Sequence, residues 1–197
     1  MTLLRLFIAG AALASLSGCL RSDVGDASPS FEAVMRARSA SFTSAAVGPF
    51  TSALPGNAEN RRISIRGSTM KAPGKGTFAD YLRDSLISEL KASGKYAPDA
   101  SASITGRITE NDAGENMSSG KAVLAAEFSV MRDGTVRFSK TYRVTHQWKS
   151  AFMAVMAVPE AFNNYSALYP KLIAEAFADP EFVAALGSNP VSTGTAR

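Results

Sequence analysis

The feature that most constrains the fold is a pair of alternating segments on either side of the dipeptide Asp133-Gly134. In both segments a run of apolar residues carries even numbers, namely Ala122, Leu124, Ala126, Phe128, Val130, Val136, Phe138, Tyr142 and Val144. A period of two is typical of strands with one buried face, and Asp-Gly is a hairpin turn sequence. The sequence therefore predicts an antiparallel hairpin whose even-numbered side chains face the core.

The same parity predicts the length of the turn. A two-residue turn with regular pairing would place Val130 opposite Arg137 and would mix apolar and charged residues on one face. A three-residue turn over residues 132–134 avoids this and needs a left-handed residue at its third position, which is Gly134. It pairs Val130 with Val136, Phe128 with Phe138 and Leu124 with Tyr142. We therefore predict a three-residue turn with a bulge.

Two further strands and a helix precede this hairpin. Residues 61–67 and 102–109 alternate around pairs of isoleucines, which predicts two half-buried strands. Between them, Thr77 and Asp80 have the spacing of an N-terminal capping box and are followed by leucines at helical spacing. This pattern predicts an amphipathic helix over residues 77–93. Residues 111–120, after the second strand, are predicted to form a polar loop.

The carboxyl-terminal part of the chain predicts helices. Pro159 suits the first turn of a helix that continues as a broad apolar stripe, and Pro170 predicts a break in that helix. Asp179-Pro180 has the pattern of a new helix cap. The predicted fold class is α+β, with a small, mostly antiparallel sheet of about four strands. The helix 77–93 and the broken C-terminal helix lie on one face of that sheet.

The amino-terminal region has a different character. In residues 1–18, Arg5 precedes an apolar run that is too short to span a bilayer, which predicts a secretory signal peptide. Residues 19–60 are rich in Ser, Ala, Gly and Pro and are predicted to form a partly ordered tether. A single α+β domain is predicted over 61–187, followed by a disordered tail over 188–197. A short helix within the tether would place on one side Phe31, Val34, Met35 and Arg38.

Cys19 is the only cysteine in the chain, and it follows Leu16-Ser17-Gly18. This tetrapeptide resembles the lipobox of bacterial lipoproteins. The resemblance implies a diacylglycerol on the thiol, cleavage before Cys19 and an acyl chain such as palmitate on the new amino terminus. An ordinary signal peptide followed by an unrelated cysteine is the alternative. A lipidated thiol also explains why a secreted chain has an unpaired cysteine.

The residue after the lipobox bears on the location. By the sorting rule of Gram-negative lipoproteins, Leu20 in place of an aspartate implies the outer membrane, with the folded body facing the periplasm. The net charge of the chain is +4, with 21 basic and 17 acidic residues spread along the sequence. This balance does not favour a nucleic-acid partner.

Catalytic and metal-binding patterns are sparse. His146 is the only histidine, and the sequence contains neither a Gly-x-Ser-x-Gly elbow nor a Cys-x-x-Cys pair. Glu110, Asp112 and Glu115 lack the ligand alternation of a calcium-binding loop and are expected to form a solvated acidic loop. We expect a packed or edge role for His146. The chain is therefore predicted to be no enzyme and to carry no cofactor beyond the lipid on Cys19, with no metal and no small-molecule substrate.

Two stretches are candidates for binding. The glycine-rich loop around Lys71 and Lys75 precedes a helix and is a candidate contact for an anion such as a lipid phosphate, the alternative being a plain connecting loop. Residues 148–158 are apolar and rich in methionine. We expect this stretch to fold onto the sheet as core. The alternative is an exposed surface that docks a membrane protein or a lipid. The candidate contact residues in it are Trp148, Phe152, Met153 and Met156.

The order of the elements in residues 63–177, behind a lipobox, resembles that of small periplasm-facing accessory lipoproteins. Examples are the LptE-like lipoproteins of lipopolysaccharide assembly and the auxiliary lipoproteins of ABC-type lipid transport systems. The resemblance implies a non-enzymatic accessory factor for an envelope or transport complex, anchored in the membrane and in contact with an envelope protein. A carrier of lipids or amphiphiles, with a pocket between sheet and helices, is the first alternative. A hydrolase that uses His146 is the second.

Overall fold

The structure is a computed structural model that describes residues 21–23, 25–54, 60–73 and 76–187. The predicted signal peptide, Cys19, Lys75 and the predicted tail lie outside the described residues. The elements in chain order are β1 Arg21–Asp23, α1 Phe31–Ser39, β2 Ala46–Ser52, β3 Arg62–Ile65, β4 Ser68–Lys71, α2 Phe78–Ser93, β5 Ala102–Glu115, β6 Ser119–Arg132, β7 Thr135–Lys149, α3 Ala154–Ser166, α4 Leu168–Ala178 and α5 Pro180–Leu186. The α+β fold class is confirmed.

The main sheet has four strands in the order β2-β5-β6-β7. The β2–β5 pair is parallel and the other two pairs are antiparallel, as expected for a mostly antiparallel sheet. The segment 61–67, however, forms β3 in a separate small sheet with the order β1-β4-β3. Its predicted place in the main sheet is taken by β2. Since β2 contains Pro49 and little alternation, it carries no strand pattern in the sequence. Its edge position and the register shift between Val47 and Phe50 accommodate the proline.

The β6–β7 hairpin confirms the predicted parity from Ala122 to Val130 and from Phe138 to Val144 and corrects the predicted turn. The prediction that Val136 faces the core is wrong, because this residue precedes the bulge and is 56% exposed. The even-numbered side chains of β6 are all buried from Ala122 to Val130. The turn has two residues, Asp133-Gly134, with φ values of 51° and 72° that fit a type I′ turn. Val130 pairs with Phe138 while Met131 pairs with Val136, so the extra residue is Arg137 within β7. The bulge at Arg137 returns the even-numbered side chains of β7 to the core face, as a longer turn would have done. The predicted three-residue turn is wrong.

The predicted polar loop over 111–120 is also much shorter than expected. The strand β5 continues to Glu115, β6 begins at Ser119, and the connection is residues 116–118. A register shift between Ile108 and Glu110 reverses which side chains of β5 face outward. Glu110 and Asp112 therefore lie on a strand, facing away from the helices, and not in an acidic loop.

Residues 30–54 belong to the packed body. The predicted short helix forms as α1, and its packed side is the opposite one: Ala33 and Ala37 are buried, whereas Phe31 is 84% exposed and Met35 is 41% exposed. The small alanines allow α1 to approach its neighbours closely. The next residue of the core, Phe42, stacks on Phe177 of α4 with ring centroids 5.9 Å apart. The folded body therefore begins well before residue 61.

The helices begin and end where the local sequence signals predict, except for the start of α3. Thr77 and Asp80 form the capping box of α2, which ends at Gly94 in a left-handed conformation with φ 77°. Pro159 lies inside α3 and not in its first turn, which corrects the predicted start of this helix. The break between α3 and α4 falls at Ala167, so Pro170 sits in the first turn of α4, where its missing N–H costs no hydrogen bond.

Within the described part of the chain, buried side chains pack between the main sheet and the helices. Six aromatic side chains in this layer are at most 2% exposed: Phe42, Phe78, Phe128, Tyr165, Tyr169 and Phe182. Several meet edge to face, such as Phe128 and Phe182 with centroids 6.3 Å apart. None of the helices in the described parts of the chain is long and apolar enough to cross a membrane.

Candidate binding surface

The most unusual surface feature is a group of exposed apolar side chains at the junction of β7 and α3. Phe152 is 75% exposed, Met153 61%, Val155 73% and Met156 64%. We call these four residues the apolar cluster. The expectation that this stretch folds onto the sheet as core is wrong for them, because only Ala157 and Val158 at its carboxyl end are buried.

The way α3 packs explains why the cluster faces outward. Helix α3 points a continuous apolar face at the sheet, made of Ala157, Val158, Ala161, Phe162 and Tyr165. At the period of an α-helix this face leaves Met156 on the far side, and Val155 lies in the first turn of α3, before the buried face begins at Ala157. Phe152 and Met153 lie in the short connection between the strand and the helix. Met153 occupies the N-cap position and offers no side-chain hydrogen bond to the helix.

Arg66 fixes the backbone beneath the cluster. It lies at the turn between β3 and β4, where its φ is 50°. Its guanidinium donates from Nη1 to the carbonyl oxygen of Ala151 at 2.9 Å and from Nη2 to that of Phe152 at 3.2 Å. From the other side, the Ser150 N–H donates to the carbonyl oxygen of Ser118 at 3.1 Å. The connection is thus bound on both sides, which makes the cluster a preorganised surface.

A fifth exposed apolar residue lies at the same end of the sheet. Met117, in the loop between β5 and β6, is 66% exposed, and the neighbouring Ser118 makes the hydrogen bond to Ser150. Met117 and Arg66 are not among the predicted site residues. Met117 stands alone in a polar segment, and Arg66 falls within the predicted strand 61–67, where nothing in the sequence indicates what its side chain contacts.

Trp148 lies next to the cluster but is half buried. Its Nε1–H donates to Glu115 Oε1 at 3.0 Å, and its ring lies so close over Gly120 that any side-chain carbon at that position would overlap it. His146 stacks on this ring with centroids 6.0 Å apart, and its Nε2 lies 3.1 Å from Asn164 Oδ1. The partners of His146 are therefore an amide and an indole.

The remaining predicted contacts lie elsewhere. Lys71 is the last residue of β4, opposite Arg62 of β3, and not part of a loop. Glu110 accepts two hydrogen bonds from Arg143, at 2.8 and 3.1 Å, and this partner holds the pKa of Glu110 below its usual range. Within the described ranges, no group of three or more His, Cys, Asp or Glu side chains is placed to hold a metal ion.

A hydrogen-bonded pair of tyrosines lies deep in the body. The hydroxyls of Tyr165 and Tyr169 are 2.6 Å apart, and Tyr165 donates to Asn111 Oδ1 at 2.8 Å. Burial raises the pKa of both hydroxyls above the ordinary value of tyrosine, because the ionised form would lose its hydration. Both therefore remain protonated at neutral pH and connect α3, α4 and β5.

No family model and no curated protein sequence matches the chain. Solved structures are similar to it in fold. A DUF330 protein from Xanthomonas campestris has a TM-score of 0.50 at 17% identity, covering 81% of this chain and 95% of that chain. A hypothetical protein from Chlamydia trachomatis has a TM-score of 0.49 at 11% identity, covering 73% and 99%. A minor lipoprotein from Acinetobacter baumannii has a TM-score of 0.41 at 10% identity, covering 71% and 91%.

The first of these similarities extends over nearly the whole Xanthomonas protein, and at this level of identity it shows a shared fold alone. The chain thus has the α+β fold of the Xanthomonas DUF330 protein.

Proposed function

We propose that this protein is a bacterial lipoprotein, anchored in the outer membrane through lipid on Cys19 and facing the periplasm. In this proposal it is a non-enzymatic accessory factor of an envelope or transport complex. The observation that carries the proposal is the apolar cluster, which is exposed on a backbone that Arg66 fixes in place. A large exposed apolar surface on a compact protein marks a site of interaction with a partner or a membrane.

The chemistry of the cluster supports binding over catalysis. Its four side chains carry no titratable group. Nucleophilic or acid–base catalysis needs such a group within hydrogen-bond reach of a substrate. The buried hydroxyls of Tyr165 and Tyr169 bond to each other and to Asn111, which gives them a structural role.

The packing between sheet and helices favours the accessory role over a lipid carrier. A carrier needs an apolar cavity that encloses most of its ligand. In this protein the layer is occupied by fully buried aromatic side chains, among them Phe128, Tyr165 and Tyr169. Among the described residues, the largest group of exposed apolar side chains lies on the outside, in the apolar cluster.

Lipidation is tested by comparing the full chain with Cys19→Ser in cells supplied with labelled palmitate. We expect the wild-type protein to incorporate the label and to fractionate with membranes. We expect Cys19→Ser to lose the label, because a hydroxyl does not accept the diacylglycerol through a thioether. An unlabelled wild-type protein that stays in the aqueous fraction would contradict the anchor.

The accessory role is tested by copurification. The acylated protein, extracted from membranes in mild detergent, is expected to elute with one or more envelope proteins in fixed proportion. His146→Ala is the matched variant for the hydrolase alternative, and it should copurify the same proteins. Elution of the acylated chain alone under conditions that preserve other envelope complexes would count against the accessory role.

A further inference from the structure

The small sheet determines where the amino-terminal segment enters the folded body. The strand β1 runs parallel to β4, with Arg21 opposite Thr69 and Asp23 opposite Lys71. Because β4 begins directly after the Arg66-Gly67 turn, the first residue of β1 is the one nearer to that turn. The chain therefore enters β1 from the end of the small sheet at which the turn lies.

The length of the chain limits the distance of Cys19 from this end of the small sheet. Cys19 precedes Arg21 by two residues, and two residues span at most about 7 Å. The turn at this end carries Arg66, whose guanidinium bonds to the carbonyl oxygens of Ala151 and Phe152. Cys19, which would carry the lipid, can therefore lie no more than about 7 Å from Arg21, and Arg21 lies at the end of the molecule that bears the apolar cluster.

Exposed apolar residues are concentrated at this end. Among the described residues, the large apolar side chains that are exposed comprise the apolar cluster, Met117, Phe31, Met35 and Val136. Met117 is on the loop bonded to Ser150 and so adjoins the cluster. Val136 lies at the other end of β7, near the Asp133-Gly134 turn, and Phe31 and Met35 are on α1.

Charge favours a lipid surface as the occupant of the cluster. Residues 148–158 contain one charged residue, Lys149, and no acid. Lys149 is exposed at this end of the sheet, opposite Ser119 of β6. Lys121 on the neighbouring strand is exposed as well and lies beside Glu110 and Asp112. Apolar side chains next to lysines are typical of segments that lie in the head-group region of an anionic membrane.

We infer that the apolar cluster inserts into the surface of the membrane in which Cys19 is anchored. The inference rests on the proposed lipid anchor and adds to it a second, protein-borne contact. The two contacts together orient the body. The strands of the main sheet lead away from the membrane, and the 14 residues of β6 place the Asp133-Gly134 turn roughly 45 Å from the cluster end. The far end is then the part presented to the periplasm.

A pair of single thiols tests the orientation. Because the sulfur of Cys19 is consumed by lipid, Met153→Cys and Val136→Cys each introduce one free thiol for a fluorescent label. The two positions are matched controls, at 61% and 56% exposure, on opposite ends of the molecule. The acylated proteins are placed in phosphatidylethanolamine–phosphatidylglycerol vesicles that contain a head-group nitroxide lipid.

We expect the nitroxide lipid to quench the label at position 153 and to leave the label at position 136 unchanged. Equal quenching at the two positions, or no quenching at position 153 in protein that floats with the vesicles, would overturn the inference and leave the lipid anchor standing. Failure of both proteins to float would overturn the anchor, and the inference with it. Circular dichroism checks that both variants keep the wild-type fold.

Photocrosslinking in cells separates a lipid from a protein as the occupant. The full chain carries Met153→p-benzoylphenylalanine, with Val136→p-benzoylphenylalanine as the control. An adduct with lipid at position 153, absent at position 136, supports the inference. An adduct of defined mass with an envelope protein at position 153 would overturn it, since the cluster would then be a docking surface for that protein.

Discussion

Glu89 is a carboxylic acid in the interior of α2, with only 1% of its surface exposed. One carboxyl oxygen accepts a hydrogen bond from the Ser30 N–H at the start of α1, at 2.8 Å. The other oxygen is buried and has no hydrogen-bond partner within the described part of the chain. Burial raises the pKa of Glu89 above its usual value, because the charged form loses hydration that a single hydrogen bond does not replace.

This raised pKa predicts how stability depends on pH. Folding favours the protonated carboxyl, so the stability from Glu89 is present below about pH 4.5 and is lost as the pH rises through the folded-state pKa. Glu89→Gln keeps an acceptor for Ser30 and removes the charge. We expect this variant to be more stable than wild type at pH 7 and similar to it at pH 4, measured by urea unfolding.

The control for this prediction is Glu175→Gln, on the exposed side of α4. We expect it to leave the free energy of unfolding unchanged at both pH values, because an exposed carboxylate is hydrated in the folded and unfolded states alike. An equal response of the two variants would show that the burial of Glu89 is not the cause.

Arg66 illustrates what the sequence does not reveal at the scale of one residue. The sequence predicts a strand over residues 61–67, whereas β3 ends at Ile65 and Arg66 and Gly67 form a turn with positive φ values. The Arg66 guanidinium binds the carbonyl oxygens of Ala151 and Phe152, which lie 85 and 86 positions further along the chain. No local pattern specifies a contact of that separation. The apolar residues of the site are visible in the sequence, and the residue that fixes them in place is not.

At the scale of elements, the packing of β2 against β5 depends on the close approach of Phe50 to Gly106. Phe50 of β2 lies directly over Gly106 of β5, its pairing partner. A side-chain carbon at Gly106 would overlap the ring of Phe50. The missing side chain allows Phe50 to be 7% exposed and to meet Phe128 edge to face with centroids 5.8 Å apart. This contact joins the parallel edge strand to the core.

We therefore expect Gly106→Ala to destabilise the protein by about 1–3 kcal/mol, the usual cost of overpacking a core. Gly114→Ala is the matched control, on the same strand with no atom within 4 Å of its new carbon. It should change stability by no more than about 0.5 kcal/mol. Urea unfolding of both variants measures the difference. Similar losses would indicate that strand propensity, and not the contact with Phe50, is responsible.

At the scale of the whole molecule, the segment before residue 61 completes the core. Ala33 and Ala37 of α1 are fully buried, and β2 forms one edge of the main sheet. Lys95, after α2, donates from Nζ to the carbonyl oxygens of Ala40 and Phe42 at 2.5 and 2.8 Å. Removing this segment exposes the faces of α2, α4 and β5 that it covers.

We expect a chain that begins at residue 61 to lack a cooperative unfolding transition, and a chain that begins at residue 26 to unfold as the mature protein does. The fluorescence of Trp148, the single tryptophan, reports the transition in urea. Both chains keep the partners of this side chain in β5 and β6, so any difference reflects the rest of the body. A cooperative transition of similar midpoint in the shorter chain would contradict the prediction.

The sequence by itself determined the elements whose signals are local. The capping box at Thr77, the break near Pro170, the Asp179-Pro180 cap of α5 and the apolar face of the hairpin all depend on residues a few positions apart. Only the tertiary structure decided that β2 enters the main sheet and that Arg137 forms a bulge. The same is true of the exposed apolar cluster. Each of these features depends on which distant segments pack together, and the choice is made by the free energy of the whole core.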